Sequence, residues 1–260
     1  MSDARDDEFY VGYLPSAPPS VARRVRVAVI AIFAWVVCVA LVLVAAQRRL
    51  DGRLFEFGHP REFRGQIEVD PEPTLAVTRP GTDAGVSRYL LVGPGKHGAR
   101  DLVAELDGQE VRLRAQLISR GPQTALEVEP GSVERVGPGT LAPARTVLGQ
   151  RTLRGEIVDS KCHFGVMNPG EGKAHKDCAI RCISGGAPAL LRSRDGSGET
   201  RYFFLTAPDG RAFGRELLDF VAEPVEITGS VERHDSVYVL RADLRAIRRL
   251  SDGGDVGGPR

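Results

Sequence analysis

The sequence predicts a mainly β protein in which one membrane-crossing helix is followed by two small β-barrels in tandem, the second carrying an inserted loop and helix. Three observations predict this. Val27 to Ala46 is a run of twenty apolar residues without a charge, and at 1.5 Å per residue it matches the thickness of a hydrocarbon core. Residues 60 to 250 break into short alternating apolar and polar runs, punctuated by Gly, Pro and Asp every eight to twelve residues, which is strand spacing. The order of those runs occurs twice, the mark of a duplicated supersecondary plan.

Taken in order, residues 1–22 have an acidic start, a cluster Phe9-Tyr10-Val11-Gly12-Tyr13 and a Pro/Ser stretch without periodicity, and are expected to be a disordered cytoplasmic tail. Residues 23–49 form the expected transmembrane anchor. Its apolar run 27–46, in contact with the lipid bilayer, is flanked by Arg23, Arg24 and Arg26 on one side and by Arg48 and Arg49 on the other. The length of the run and of the segment ahead of it favours a retained anchor over a cleaved signal. Basic flanks of similar size leave the positive-inside rule undecided. A short tail before a large C-terminal region places the tail inside and the barrels outside the cytoplasmic (inner) membrane, a single-pass, periplasmic arrangement.

The repeat is read from matched segments. Arg64-Gly65-Gln66-Ile67 is echoed by Arg154-Gly155-Glu156-Ile157, Tyr89-Leu90-Leu91-Val92 by Tyr202-Phe203-Phe204-Leu205, Val111-Arg112-Leu113 by Val225-Glu226-Ile227, and Leu126-Glu127-Val128 by Tyr238-Val239-Leu240. Helical segments around Arg100 to Leu106 and Arg215 to Val221 fall between the third and fourth strands of each copy. Five strands with a helix in that position are the plan of an OB-like barrel. The first barrel is expected over residues 59–137, a Gly/Pro-rich linker over 138–150 and the second barrel over 151–250, with 251–260 a disordered tail. From Gly65 to Val111 is 46 positions and from Gly155 to Val225 is 70, so the second copy holds an insertion of 24.

Bulk composition excludes one use of such barrels. With 35 Lys and Arg against 34 Asp and Glu, the formal charge is +1, too small to hold a polyanion. Phe63 and Tyr89 are the only aromatic residues between 60 and 140, and base stacking needs aromatic platforms. No nucleic-acid partner is expected.

The insertion carries the chemistry. It contains Cys162-His163, the loop Asn168-Pro169-Gly170-Glu171-Gly172, and then His175-Lys176-Asp177-Cys178-Ala179-Ile180-Arg181-Cys182. A helix over 174–184 places His175, Cys178 and Cys182 within about 60° of one another on one face, and Gly185-Gly186 ends it. Cys162, at the end of the preceding strand, completes a candidate metal set of Cys162, His175, Cys178 and Cys182, suited to zinc or copper. His163 is an alternative ligand to His175, although on a strand it points away from Cys162. The structural alternative is a disulfide from Cys162 to Cys178 or Cys182, which leaves one thiol over. A third reading is a redox or copper-handling electron-transfer component using Cys178 and Cys182.

The wording Val158-Asp159-Ser160-Lys161-Cys162, followed by His175-Lys176-x-Cys178-Ala179-x-x-Cys182 and Gly185-Gly186, resembles a segment of uncharacterised exported or membrane-anchored bacterial proteins with OB-like domains. The resemblance implies the location and the fold.

Other candidates are weaker. Gly93-Pro94-Gly95-Lys96-His97-Gly98 lacks the phosphate-loop pattern and reads as a plain loop; Asp159 and Lys161 read as a solvated strand end; His59 and His234 are isolated. No hydrolase or zinc-protease motif is present and no catalytic residue is assigned. The sequence thus points to a non-enzymatic, membrane-anchored accessory protein with a Cys/His site, serving a membrane protein partner.

Overall fold

The computed structural model describes residues 17–47, 52–79, 85–142, 144–213 and 215–250. Residues 1–16 of the expected tail 1–22, the expected tail 251–260, and Arg48 and Arg49 lie outside these residues, while residues 19–22 of that expected tail are helical. The chain divides into two compact units, Met1–Asp51 and Gly52–Arg260. In the first, helix α1 spans Pro19–Gln47. It is long and apolar enough to cross a membrane, and a signal sequence would have the same character.

The second unit is mainly β. Strands β1 (Arg53–Phe55), β2 (Arg61–Glu68), β3 (Thr74–Thr78), β4 (Val86–Val92), β5 (Gln109–Arg120), β6 (Gln123–Val128) and β7 (Glu134–Pro138) form the first sheet, with the short helix α2 (Arg100–Val103) between β4 and β5. The sheet closes in the order β2, β3, β4, β6, β5 and back to β2, with β4 and β6 parallel. Strands β8 (Arg145–Asp159), β9 (Ala189–Arg194), β10 (Thr200–Thr206), β11 (Pro224–His234), β12 (Val237–Arg241) and β13 (Ile247–Arg249) form the second. It closes in the same way, β8, β9, β10, β12, β11 and back to β8, with β10 and β12 parallel. A 3-10 segment Arg215–Phe220 stands where α2 stands in the first barrel.

Alternation builds each core. In β5, buried Val111, Leu113 and Ala115 alternate with exposed or half-buried residues, and in β11 buried Val225, Ile227 and Val231 do the same. The duplication is visible in register, since Gly65 pairs with Val111 in one barrel and Gly155 with Val225 in the other. Both glycines are demanded by close approach of the second strand. A Cβ on Gly65 would meet the Ala76 carbonyl oxygen at 2.5 Å, and one on Gly155 would collide with that of Arg192.

Three expectations need correction. Leu91 pairs with Leu126 and Leu205 with Leu240, so the sequence pairing of Leu91 with Phe204 is displaced by one residue; matching Tyr89 to Tyr202 set that false register. The first barrel also begins earlier than residue 59, because β5 outruns β2 and its free edge at Ile118–Arg120 is covered by β1. Strand β8 starts at Arg145, inside the expected linker, since the long β11 pairs with it back to His234, with a bulge at Val231/Glu232.

The barrels do not bury separate cores only. Leu90, Val92, Ile118 and Ala125 of the first pack on Val158, Phe164, Leu190, Phe204 and Val239 of the second. Buried ion pairs cross the same interface: Arg88, which also holds Glu68 of its own barrel at 2.6 Å, reaches Asp235 at 2.5 Å, and Lys161 pairs with Glu127.

Within the first barrel, Glu72 is 5% exposed and faces Arg100 at 3.3 Å. Burial outweighs that cation and pushes the carboxyl up to about 7. The folded value lies above the unfolded one near 4.5, so the folded state binds this proton more tightly. The resulting stability is full below pH 4.5 and is lost as pH rises through 7, a change of about 3 kcal/mol. Urea unfolding across that window should show Glu72→Gln flattening the difference; identical pH profiles for variant and parent would refute the assignment.

Candidate metal centre

The insertion joins β8 to β9. Asp159 closes β8, and its carboxylate Oδ1 accepts the Cys162 N–H at 2.8 Å, starting a π-helical turn over Cys162–Val166. Such single π turns concentrate at functional sites. The turn is clamped by two glycines. A Cβ on Gly165 would meet the Leu54 carbonyl oxygen at 2.5 Å, and one on Gly170 would meet the Cys162 carbonyl oxygen at 2.8 Å. A 3-10 turn Lys173–His175 then leads into helix α3, Lys176–Ser184. Gly186 ends the helix at φ +89°, and the Ala187 N–H returns to the Cys182 carbonyl at 2.9 Å, the ending expected of Gly185-Gly186.

This path brings three sulfurs together. Cys162 Sγ lies 3.8 Å from Cys178 Sγ and 3.7 Å from Cys182 Sγ. Cys162 and Cys182 are buried, Cys178 is half-buried, and all three are free thiols. The Cys182 hydrogen bond, burial and Asp159 raise the Cys162 pKa. The same hydrogen bond lowers that of Cys182, with Lys96 helping against desolvation.

His175 does not share the point occupied by the three sulfurs. It is the N-cap of α3, at φ −102° and ψ −6°, one residue short of the helix that was to carry it on the cysteine face. Its Nε2 instead meets Asp159 Oδ2 at 2.9 Å. Two triplets result, Cys162/Cys178/Cys182 and Asp159/Cys162/His175, with ligand atoms in each within 4.8 Å of one another and Cys162 common to both. Either group could hold a metal ion.

Residues dismissed in the sequence prove central. Asp159 and Lys161 are not a solvated strand end, being 0% and 2% exposed. The Lys161 ammonium donates to the carbonyls of Gly93 at 2.7 Å and Gly95 at 2.6 Å. It thereby holds the loop read as a plain connection, and that loop delivers Lys96, whose Nζ lies 2.8 Å from Cys178 Sγ and 3.9 Å from Cys182 Sγ. Cys178 raises the pKa of Lys96 in return. The loop is fastened a second time where the Gly98 N–H donates to the Gly185 carbonyl at 2.9 Å.

His163 is no ligand of the sulfur point. It sits in the π turn, fully buried, where Nδ1 is 3.0 Å from the Gly170 carbonyl and Nε2 is 3.1 Å from the Tyr202 hydroxyl. A neutral ring with Nδ1–H satisfies both. Burial, with Arg120 alongside, pushes its pKa down to about 4. Glu171 is held below the usual carboxylate range because Arg192 and Arg120 overcome its desolvation. His163 therefore serves as a packed, hydrogen-bonded wedge between Arg120 of the first barrel and Tyr202 of the second. Of the two histidines read as isolated, His234 is buried against Glu232 at 2.8 Å.

No known family model matches this chain, and no curated protein shows significant similarity to it. What the chain can do has to be read from the site.

Proposed function

We propose that this is a membrane-anchored, extracytoplasmic accessory protein whose second barrel binds one thiophilic metal ion, zinc or copper(I), through Cys162, Cys178 and Cys182. One observation carries the reading. Two thiolates bound tetrahedrally at about 2.3 Å from one ion lie about 3.8 Å apart, and the Cys162 sulfur is 3.8 and 3.7 Å from its two neighbours. His175 stands outside that point with its Nε2 on Asp159 Oδ2 at 2.9 Å, so the three sulfurs are the ligand set and the Asp159–His175 pair lies beside it. The closing order with a parallel third and fifth strand supports an OB-like assignment of both barrels. The apolar helix, together with the resemblance to anchored and exported proteins, supports placement on the outer face of the inner membrane beside a membrane protein partner.

The full chain in detergent, with metal content measured after loading and desalting, tests the site. Wild type is expected to hold one ion per chain and Cys182→Ala less than about a tenth of that, because the remaining two sulfurs cannot close the coordination shell. A metal-free protein in which Cys162 is joined to Cys178 or Cys182 by a disulfide would overturn the reading.

A second reading is favoured by the ammonium of Lys96 beside Cys178 and by the lowered pKa of Cys182: a redox or copper-handling component cycling Cys178 and Cys182. It predicts a thiol-disulfide potential well above that of structural disulfides, or a visible band on copper loading. Redox-silent thiols in a colourless protein would exclude it.

A further inference from the structure

We infer that the open side of the second barrel is a docking groove for a short, extended, acidic segment of a partner protein, added as a strand beside β8 with an apolar side chain in the adjoining cavity. The inference rests on the accessory-protein reading above, whose partner it gives a chemistry, and is independent of the metal.

The groove exists because two strands part company. β8 pairs with β9 only from Gly155 to Asp159. Its earlier stretch, Arg145 to Arg154, runs beside β11 on one side and beside no strand on the other among the described residues. β9 turns back at Arg194 into β10 instead of following β8. From Gln150 to Arg154 the register with β11 is regular, and Gln150, Arg151 and Thr152 are exposed. Such an edge offers its outward backbone groups to an added strand. The bulge at Val231/Glu232 leaves Leu148 without a partner across the ladder and turns it to the cavity that it lines.

That cavity, lined by β8 and by the β9–β10 hairpin, measures about 680 Å³, the size of a ligand pocket. Leu153, Phe203, Val231 and Tyr238 of the barrel core line it, so an apolar side chain entering it joins that core. Four cations line it as well, Arg151, Arg154, Arg194 and Arg201, against one carboxylate, Asp195. Glu226 takes Arg154 at 2.8 Å, and Asp195 and Glu199 take Arg201 at 3.4 and 3.2 Å. Arg194 has no side-chain partner among the described residues, and Arg151 reaches only the carbonyl of adjacent Gln150 at 2.8 Å. Two unmatched guanidinium groups beside an apolar cavity suit carboxylates. They also argue against a second copy of this edge: its only charged residues are Arg145, Arg151 and Arg154, and like charges on neighbouring strands repel.

The test is selection from a library of random peptides of about ten residues on the full chain in detergent. Bound sequences are expected to be rich in aspartate and glutamate interleaved with aliphatic residues. A selected peptide should lose about tenfold in affinity for Arg151→Ala/Arg194→Ala, the loss of two exposed ion pairs, and at least as much for Leu148→Glu, which sets a like charge at the cavity. All three replaced residues are exposed, so these variants should keep the wild-type unfolding curve. N-methylation of every second peptide amide should remove binding in one phase and spare it in the other, because only alternate N–H groups of an added strand face β8. Enrichment of neutral or basic peptides, or of none, overturns the inference, as does an affinity unchanged by the arginine variant. A single-stranded oligonucleotide of about ten nucleotides that binds more tightly than any selected peptide, and is lost on the same variant, overturns it in favour of nucleic acid. None of these results touches metal binding, since Cys162, Cys178 and Cys182 line no part of the groove.

Discussion

Replacing Lys161 by methionine is expected to destabilise the protein by about 3–5 kcal/mol, the usual consequence of removing one partner from a buried ion pair. Lys161 is 2% exposed and lies at the end of the second barrel's first strand, yet every partner of its ammonium belongs to the first barrel: the carbonyls of Gly93 and Gly95 and the carboxylate of Glu127. Methionine keeps the stem and its packing but leaves Glu127, 9% exposed, as a buried charge without a counterion. For a folded unit of this size the loss corresponds to a fall in Tm of roughly 6–20 °C. Lys161→Met combined with Glu127→Gln should recover a substantial part, because the orphaned charge is then gone. A single variant within 1 kcal/mol of wild type by urea unfolding would show that the contact across the barrels contributes little.

Arg88→Met should cost a similar amount, about 3–5 kcal/mol, for the same reason and at a different place. The Arg88 side chain is 3% exposed. Its guanidinium gives one nitrogen to Glu68 of its own barrel at 2.6 Å and two to Asp235, in the turn between β11 and β12, at 2.8 and 2.5 Å. Desolvation opposes the charged form, but Glu68 and Asp235 together hold the Arg88 pKa above its ordinary value. Removing the cation strands two carboxylates that share it. Because both substitutions loosen one interface, the double variant Lys161→Met/Arg88→Met should lose less than the sum of the singles. Full additivity would mean that the barrels stay docked after the first clamp is broken.

How far these features could be read in advance differed by element. The apolar run 27–46 and the inserted Cys/His segment stand out in one dimension, since composition alone marks them. The repeat was legible at Gly65 and Gly155, where a close strand excludes a side chain in both barrels, and was misread by one residue at Leu91 because an aromatic match outweighed the pleat. The sulfur triad followed from helical spacing within α3 and from the position of Cys162 just past the end of β8. His175 was misplaced because helix boundaries depend on the cap, and here the cap is the histidine itself.

Lys96 and Arg120 gave no signal. Each looks like an ordinary surface cation in a charged loop or at a strand end, and the pairing Lys96 with Cys178 spans 82 positions. A warning was present in the wording Asp159-Ser160-Lys161 directly before a cysteine, where three polar residues end an apolar strand that must then run into a buried turn.

By itself the sequence determined what local chemistry and periodicity can encode: a membrane-compatible helix, two copies of a β plan, and three cysteines and a histidine on one inserted segment. Only the tertiary structure decided that the barrels share a core, that Asp159 claims His175, and that a lysine from the first barrel faces the sulfurs of the second. Spacing along a chain fixes which side chains share a face, but which charges meet across two separately closed sheets is set by how those sheets dock, and no short stretch of residues carries that information.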